Sequence, residues 1–223
     1  MMNVTKVTVK GFANTYIIEG DEGAILIDTG LPGCEKAILD KCREKNISLQ
    51  LIVITHGHFD HIGSAAALKR ETGALVAVHT EDAQALRTGM SKMDRPVGLI
   101  AHLMPLLMRS VKTDPVEPDI LIDEEMSLQE YGIDGRILLT PGHTSGSISV
   151  MLTSGEAFVG DLIMGGFFGK IRPRRPNLPP FEIGRDSIKN SVNYVLEQNP
   201  TVIYPSHGGP FAPQDVARWA DSL

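Results

Sequence analysis

The sequence has no hydrophobic run long enough to span a membrane. Its longest apolar stretch with few interruptions covers residues 97–108 and contains His102 and Pro105. A membrane span needs about 20 apolar residues. The N-terminus also lacks the apolar core of a secretory signal. We therefore expect a cytoplasmic protein without a membrane partner.

Cysteine is scarce as well. Cys34 and Cys42 are the only two in the chain, and both fall in one predicted helix, which would separate them by about 12 Å along its axis. A disulfide requires Cα atoms within about 7 Å, so this pair cannot form one within that helix. Free thiols are typical of a reducing cytoplasm.

An excess of positive charge is also missing. The chain has 21 Lys and Arg against 27 Asp and Glu, which gives a net charge of −6 with neutral histidines. A protein that binds nucleic acid mainly through its phosphates needs a basic face. We therefore expect a small-molecule substrate and no nucleic acid.

No Gly/Ser linker, repeat or low-complexity run divides the 223 residues. We predict one domain over residues 1–223, with an apolar, methionine-rich insertion at about residues 89–118. The insertion is expected to be a lid over the site, a contact in a homodimer, or plain core. A proline-rich loop is predicted over residues 171–180. Elsewhere short apolar strands alternate with helical segments, a pattern that favours a layered α/β fold.

Histidine and aspartate follow the apolar strands of the predicted sheets. Loops at strand ends are where a rigid scaffold usually places catalytic groups. The densest group holds three imidazoles and one carboxylate within six residues, a combination that suits a borderline metal such as zinc. Its members are His56, His58, Asp60 and His61, and the later donors are His143, Asp161 and His207. Seven donors are too many for one tetrahedral ion, so we predict two ions.

These residues resemble the signature of the metallo-β-lactamase superfamily. The pattern His-x-His-x-Asp-His stands at residues 56–61. The other matching segments are Leu-Ile-Asp-Thr-Gly at 26–30, Thr-Pro-Gly-His-Thr at 140–144, Gly-Asp at 160–161 and Ser-His-Gly-Gly-Pro at 206–210. The resemblance spans residues 24–210. It implies a four-layer αβ/βα sandwich, in which two mixed sheets are flanked by helices and the metals lie at one edge.

The same resemblance implies a role for each donor. His56, His58 and His143 would bind the first metal, Asp60, His61 and His207 the second, and Asp161 would bridge them. Two Zn²⁺ per chain are expected, with iron or manganese as alternatives. A metal-bridged hydroxide would then attack a carbonyl or phosphoryl centre.

Four residues have further expected roles. Asp60 is the candidate catalytic residue, which would orient the nucleophile or pass a proton to the leaving group. Asp28 is expected either as a turn residue or as an acceptor that fixes a ligand histidine. Arg172 would contribute to a cationic wall for an anionic group of the substrate, or belong to a solvated loop. His102, in the apolar insertion, is a weaker candidate for substrate contact.

The predicted function is hydrolysis of a small carboxylic ester, thioester or lactone by a metal-dependent enzyme. A thioesterase similar to glyoxalase II and a lactonase fit the ligands equally well, and the apolar insertion suits an acyl chain. One alternative is a phosphodiesterase or nuclease of the same fold, which the acidic net charge disfavours. Another is a mononuclear iron persulfide dioxygenase, which would hold one iron per chain and consume oxygen.

Overall fold

The computed structural model describes residues 2–9, 13–20, 23–91, 94–97, 101–102, 111–167 and 169–223. The strands are β1 (Asn3–Val9), β2 (Ala13–Glu19), β3 (Ala24–Ile27), β4 (Leu49–Ile54), β5 (Leu75–His79), β6 (Arg95–Pro96), β7 (Ile120–Ile122), β8 (Met126–Ser127), β9 (Gly135–Leu139), β10 (Ile148–Leu152), β11 (Glu156–Phe158), β12 (Met164–Phe167), β13 (Ile171–Asn177), β14 (Phe181–Glu182) and β15 (Val202–Tyr204). The helices with described bounds are α1 (Glu35–Lys45), α2 (Phe59–Ile62), α3 (Ala65–Thr72), α4 (Ala83–Thr88), α5 (Arg185–Glu197) and α6 (Pro213–Ala220).

Eleven of the described strands form two mixed sheets, and the other four form two separate two-stranded pairs. The first has the order β1-β2-β3-β4-β5-β7, antiparallel up to β3 and parallel from β3 to β7. The second has the order β15-β11-β10-β9-β8, in which β15 and β11 are parallel and the others antiparallel. Parallel neighbours place their carboxyl ends at the same edge of a sheet, which is where open α/β folds bind ligands.

Alternate side chains of the central strands point to opposite faces, as a pleated strand requires. In β4, Leu51 and Val53 pack between the two sheets, whereas Ile52 and Ile54 pack with apolar side chains of α1 and α3. A third apolar cluster lies between the second sheet and helices α5 and α6. The layers therefore run helix, sheet, sheet, helix, and the predicted αβ/βα sandwich is confirmed.

The helical segment that follows His58 is divided into α2 and α3, and at Gly63, between them, the chain passes close to another loop. A Cβ on Gly63 would lie 2.5 Å from the carbonyl oxygen of Gly30, so only glycine fits there. This close contact holds α2, which carries the candidate ligands Asp60 and His61, against the loop that follows β3.

The prediction of a loop over residues 171–180 is wrong for residues 171–177. Residues Ile171–Asn177 form β13, which pairs with β12 in a two-stranded hairpin. Proline is tolerated at a strand edge because it lacks only a donor. Pro173 still offers its carbonyl oxygen, which accepts a hydrogen bond from Gly209 N at 2.8 Å. The hairpin is thereby tied to the loop that carries His207.

The predicted insertion at about residues 89–118 lies largely outside the described residues, which omit 92–93, 98–100 and 103–110. Of the described part, β6 pairs with β14, and Val97 N donates to Pro180 O at 2.7 Å. Cys34 and Cys42 are both buried, and neither takes part in a disulfide. Within the described ranges, no helix combines the length and the apolar character needed to cross a membrane.

Candidate metal centre

Three imidazole nitrogens from loops of both sheets lie within hydrogen-bond distance of one another in succession. His56 Nε2 lies 3.1 Å from His58 Nδ1, which in turn lies 2.9 Å from His143 Nε2. His56 and His58 follow β4 of the first sheet, and His143 follows β9 of the second. All three side chains are buried. This first ligand group therefore exists only because the sandwich is closed.

A second ligand group consists of Asp60, His61 and His207. Asp60 Oδ2 is 3.2 Å from His207 Nε2 and 3.7 Å from His61 Nε2. Asp161 lies between the two groups, because its Oδ2 atom is 3.4 Å from His207 Nε2 and 3.8 Å from His143 Nε2. The structure thus brings together all seven donors predicted from the sequence.

Hydrogen bonds on the outer ring nitrogens orient two of these histidines. His143 Nδ1 donates to the carbonyl oxygen of Phe181 at 2.7 Å, and His61 Nδ1 donates to Asp28 Oδ2 at 2.8 Å. Partners of this kind fix the ring orientation and direct Nε2 at a metal. Of the two expected roles of Asp28, the structure shows the contact with a candidate ligand histidine.

His56 is oriented through Thr55. The Thr55 hydroxyl donates to Asp28 Oδ2 at 2.8 Å. Since that hydroxyl has a single proton, it accepts from His56 Nδ1, 3.1 Å away. Asp28 therefore acts on His61 directly and on His56 through one hydroxyl. It also has a left-handed backbone, with φ 58°, which is uncommon for a residue other than glycine.

Side chains from β2 hold the loop that carries His207. Tyr16 Oη donates to the carbonyl oxygen of Pro205 at 2.7 Å, and Asn14 Nδ2 donates to that of Gly208 at 3.1 Å. Ser206 Oγ donates to Asp28 Oδ2 at 3.1 Å. Three residues of this short loop are thereby fixed to the first sheet.

Burial lowers the pKa of the histidines in the first group. The pKa of His143 falls to about 3, first through burial and then through the nearby His58. The pKa values of His56 and His58 are also lowered, again mainly by burial. At neutral pH these rings are uncharged, which is the form in which imidazole binds a metal.

Carboxylates reverse this effect in the second group. Burial lowers the pKa of His61, but Asp28 and Asp60 outweigh it and raise the pKa well above its ordinary value. Burial raises the pKa of Asp161, but His207 and His61 outweigh it and hold the pKa below its usual range. The Asp161 carboxylate is therefore ionised, and its negative charge would favour a bound cation.

The residues fit transition-metal ions. Among the described residues, His61 Nε2 and Asp161 Oδ1 are buried ligand atoms without a hydrogen-bond partner. Buried polar atoms are rarely left unpaired unless an ion or water satisfies them. Five imidazoles and two carboxylates form the donor set, which suits zinc and other first-row metals.

The two weaker substrate-binding candidates lie at the surface. Arg172 is exposed and lines a groove with Arg175, Trp219 and Ser222, a lining that contains none of the seven donors. His102 is exposed and follows Ala101, which lines a separate apolar cleft. Their positions alone do not show whether either residue contacts the substrate.

Four contributors to the site are missing from the sequence-based prediction: Thr55, Asp82, Ser206 and the Phe181 carbonyl. Thr55 and Ser206 each precede a candidate ligand histidine, and that adjacency is a signal that could have been used. Asp82 accepts hydrogen bonds from Gly57 N and from Thr144 Oγ1. Nothing in the local sequence marks it, because both donors are distant in the chain.

A buried histidine and aspartate cluster at the strand ends of an αβ/βα sandwich is typical of metallo-hydrolases. A family model described as the metallo-beta-lactamase superfamily matches residues 8–207. The protein belongs to this superfamily.

Named relatives agree with this assignment. The chain is 29% identical over 172 residues to the "Probable metallo-hydrolase YflN" of Bacillus subtilis, a match that covers 68% of this chain and 61% of that protein. It is 28% identical over 173 residues to the "Hydroxyacylglutathione hydrolase GloC" of Haemophilus influenzae, covering 76% of each. A crystal structure of TTHA1623 in a di-iron-bound form aligns with a TM-score of 0.72 and 25% identity, over 98% of this chain and 100% of that one.

Proposed function

We propose that this chain is a metal-dependent hydrolase of small carboxylic esters, thioesters or lactones, with two transition-metal ions held by the seven donors. The observation that carries the proposal is the placement of Asp161 between two ligand groups, with buried ligand atoms left unpaired. Zinc is the first expectation. Iron is the main alternative, since the structural relative TTHA1623 is described as di-iron-bound.

When bound, such ions lower the pKa of water to near neutrality and stabilise negative charge on an oxygen of the substrate. The contribution of the chain is to fix the donors and to orient the attacking water. Asp60 is suited to the second task, because at 7% exposure it is the most accessible of the seven donors. Although burial raises its pKa, His61 and His207 outweigh that effect and keep the carboxylate ionised, so it can accept a hydrogen bond from the attacking water and orient it.

An apolar cleft, whose lining contains none of the seven donors but continues into the segments that carry or contact them, supports a small acyl group in the substrate. The cleft has a volume of about 180 Å³, below the ~300–1,000 Å³ of typical ligand pockets. Its lining includes Val97, Ala101, Met164, Leu178 and Pro179.

Two segments that line this cleft are connected to the candidate ligands. In the first, Phe181 follows the cleft residue Pro180, and its ring lies 6.1 Å from that of His58. In the second, Gly165 follows the cleft residue Met164 and donates its N–H to the carbonyl oxygen of His207 at 2.7 Å. An acyl chain in the cleft would therefore have its carbonyl carbon near the cluster.

The relative GloC is named as a hydroxyacylglutathione hydrolase, and a hydroxyacylglutathione is a thioester. This similarity favours thioesters within the proposed substrate class.

The purified chain tests the proposal directly. We expect about two transition-metal ions per chain by elemental analysis. We also expect turnover of thioesters, lactones or esters that declines as the acyl chain outgrows the cleft. A panel of matched acyl lengths should be compared with phosphodiesters, RNA and persulfides, and the Asp161→Ala variant serves as the inactive control.

Two results would contradict the proposal. Cleavage of phosphodiesters or RNA without detectable carbonyl hydrolysis would favour a nuclease. One iron per chain together with oxygen uptake on persulfides would favour the dioxygenase.

Charge reversal at Arg172 is expected to raise KM only for an anionic substrate. An exposed ion pair contributes about 0.2–1 kcal/mol, so Arg172→Glu should raise that KM by about 1.4- to fivefold. The neutral substrate of equal acyl length should keep its KM, and kcat should not change for either, since binding rather than chemistry is lost. Steady-state kinetics measures both, and Arg43→Glu on the outer helix α1 is the matched control. Equal effects on the two substrates would show that Arg172 does not bind the anionic group.

A further inference from the structure

The side chain of Asp82 joins the two loops that carry the first ligand group. Its Oδ2 atom accepts a hydrogen bond from Gly57 N at 3.0 Å and another from Thr144 Oγ1 at 2.7 Å. Gly57 separates His56 from His58, and Thr144 follows His143 directly. One oxygen atom therefore connects both sides of the histidine cluster.

Glycines allow the turn at Asp82 to lie directly on both loops. A Cβ on Gly57 would be 2.8 Å from the Cβ of Ala85, which follows in α4. A Cβ on Gly146, in the loop after His143, would be 2.8 Å from Asp82 Cγ and 3.0 Å from Asp82 N. These distances leave no room for a methyl group at either contact, so the position of Asp82 and the positions of the loops depend on each other.

A backbone hydrogen bond also connects the two loops. Ile148 N donates to the carbonyl oxygen of Thr55 at 3.0 Å, which ties β10 to the end of β4. In the first loop, that bond lies before His56. In the second loop, it lies well after His143. Asp82 instead connects the residues adjacent to His58 and His143, whose ring nitrogens are 2.9 Å apart.

We propose that Asp82 is a positioning residue for metal binding: by accepting from Gly57 and Thr144 it sets the separation of His58 and His143. This inference rests on the proposed function, because it requires that the histidines bind a metal. Since one oxygen accepts both bonds, we assign the role to the geometry of this acceptor, as distinct from the negative charge that Asp82 also places near His58. An asparagine at this position keeps an oxygen acceptor of the same reach.

The test measures the affinity of the metal-free full-length chain for Zn²⁺, by competition with a chromogenic chelator. We expect Asp82→Ala to weaken binding by about 10- to 100-fold, the usual cost of losing a partner that orients ligands. Asp82→Asn should restore affinity close to that of the unaltered chain. Thr144→Val removes one of the two bonds, so its affinity should lie between those two values.

Gly146→Ala tests the same geometry without removing a donor or an acceptor. Its new methyl group would displace the Asp82 carboxylate, so we expect weaker Zn²⁺ binding here too. The visible spectrum of the Co²⁺-loaded chain should change in Asp82→Ala and Gly146→Ala and stay unchanged in Asp82→Asn, since it reports the arrangement of the ligands. Asp134→Ala is the matched control, because Asp134 accepts from Thr153 Oγ1 at an exposed site, at 2.7 Å.

Thermal unfolding of each metal-free variant separates a loss of fold from a loss of metal. A folded Asp82→Ala variant that binds Zn²⁺ as tightly as the unaltered chain would overturn the positioning role and leave the proposed function intact. An Asp82→Asn variant as weak as Asp82→Ala would overturn the geometric argument in favour of charge. Absence of Zn²⁺ and Co²⁺ binding by the unaltered chain would overturn both this inference and the proposed function.

Discussion

Replacement of Asp161 with alanine is expected to remove most of the bound metal and to lower hydrolytic turnover more than about 100-fold. Loss of a residue that only orients a ligand already lowers metal affinity or activity by about 10- to 100-fold. Asp161 is itself a candidate ligand, so its loss should cost more. Its Oδ2 atom lies within 3.8 Å of His143 Nε2 and within 3.4 Å of His207 Nε2, in separate ligand groups. The measurements are metal content by elemental analysis and kcat/KM on the best substrate of the panel.

His58→Ala should behave in the same way, because its Nδ1 atom is central to the first ligand group. Two controls remove the same residue types outside the cluster: His79→Ala, whose Nδ1 accepts from Glu81 N at 3.1 Å, and Asp134→Ala. Both should retain metal and turnover. A His58→Ala and Asp161→Ala double variant with a full metal load and normal turnover would contradict the proposed site.

The location of the candidate site could be predicted because its donors follow apolar strands. The run before Asp28 and the run before His56 are continuous and apolar, which indicates strands buried on both faces. Polar residues after such strands must lie at a sheet edge, and buried imidazoles and carboxylates need partners. The sequence therefore indicated which side chains would meet, but it contained no distances.

The residues that orient these donors could not be predicted in the same way. Phe181 contributes a backbone carbonyl, which has no signature in the sequence, and Asp82 acts on donors 25 and 62 positions away. The two-residue strands β6 and β14 are too short to show a periodic pattern. Their pairing is decided by the path of the surrounding chain. The segment of Phe181 is joined to the His143 loop by a hydrogen bond from Ile183 N to Gly142 O at 2.8 Å.

The prolines of β13 illustrate a different limit. Pro173 and Pro176 predicted a loop, because proline cannot donate to a sheet. A strand at the edge of a two-stranded hairpin can tolerate this loss, and the backbone there follows β12 and the loop of His207. Tertiary contacts thus outweighed the local signal.

The second large effect is expected at Asp28, where alanine should destabilise the fold by about 3–5 kcal/mol, the typical cost of breaking a buried charged pair. Asp28 is fully buried, and its carboxylate accepts from Thr55 N, Thr55 Oγ1, His61 Nδ1 and Ser206 Oγ. Removal of the carboxylate leaves these donors without an acceptor, and each unsatisfied donor costs about 1–3 kcal/mol. With total stabilities of about 5–15 kcal/mol for most domains, the loss would be evident in urea-induced unfolding of the metal-free chain.

Two variants separate the lost acceptor from the backbone effect. Asp28→Asn keeps the volume and a residue type that tolerates the left-handed backbone. Both oxygens of Asp28 accept hydrogen bonds, so the NH₂ group of asparagine would face a donor in place of an acceptor. Most of the destabilisation should therefore remain. Asn199→Ala places alanine at φ 55° on the surface, where the backbone should cost about 1–2 kcal/mol, together with the loss of one exposed hydrogen bond from Asn199 Nδ2 to Glu197 O. If Asp28→Ala were no more destabilising than Asn199→Ala, the carboxylate would not be holding the ligand loops together, and the orientation of His56 and His61 would need another cause.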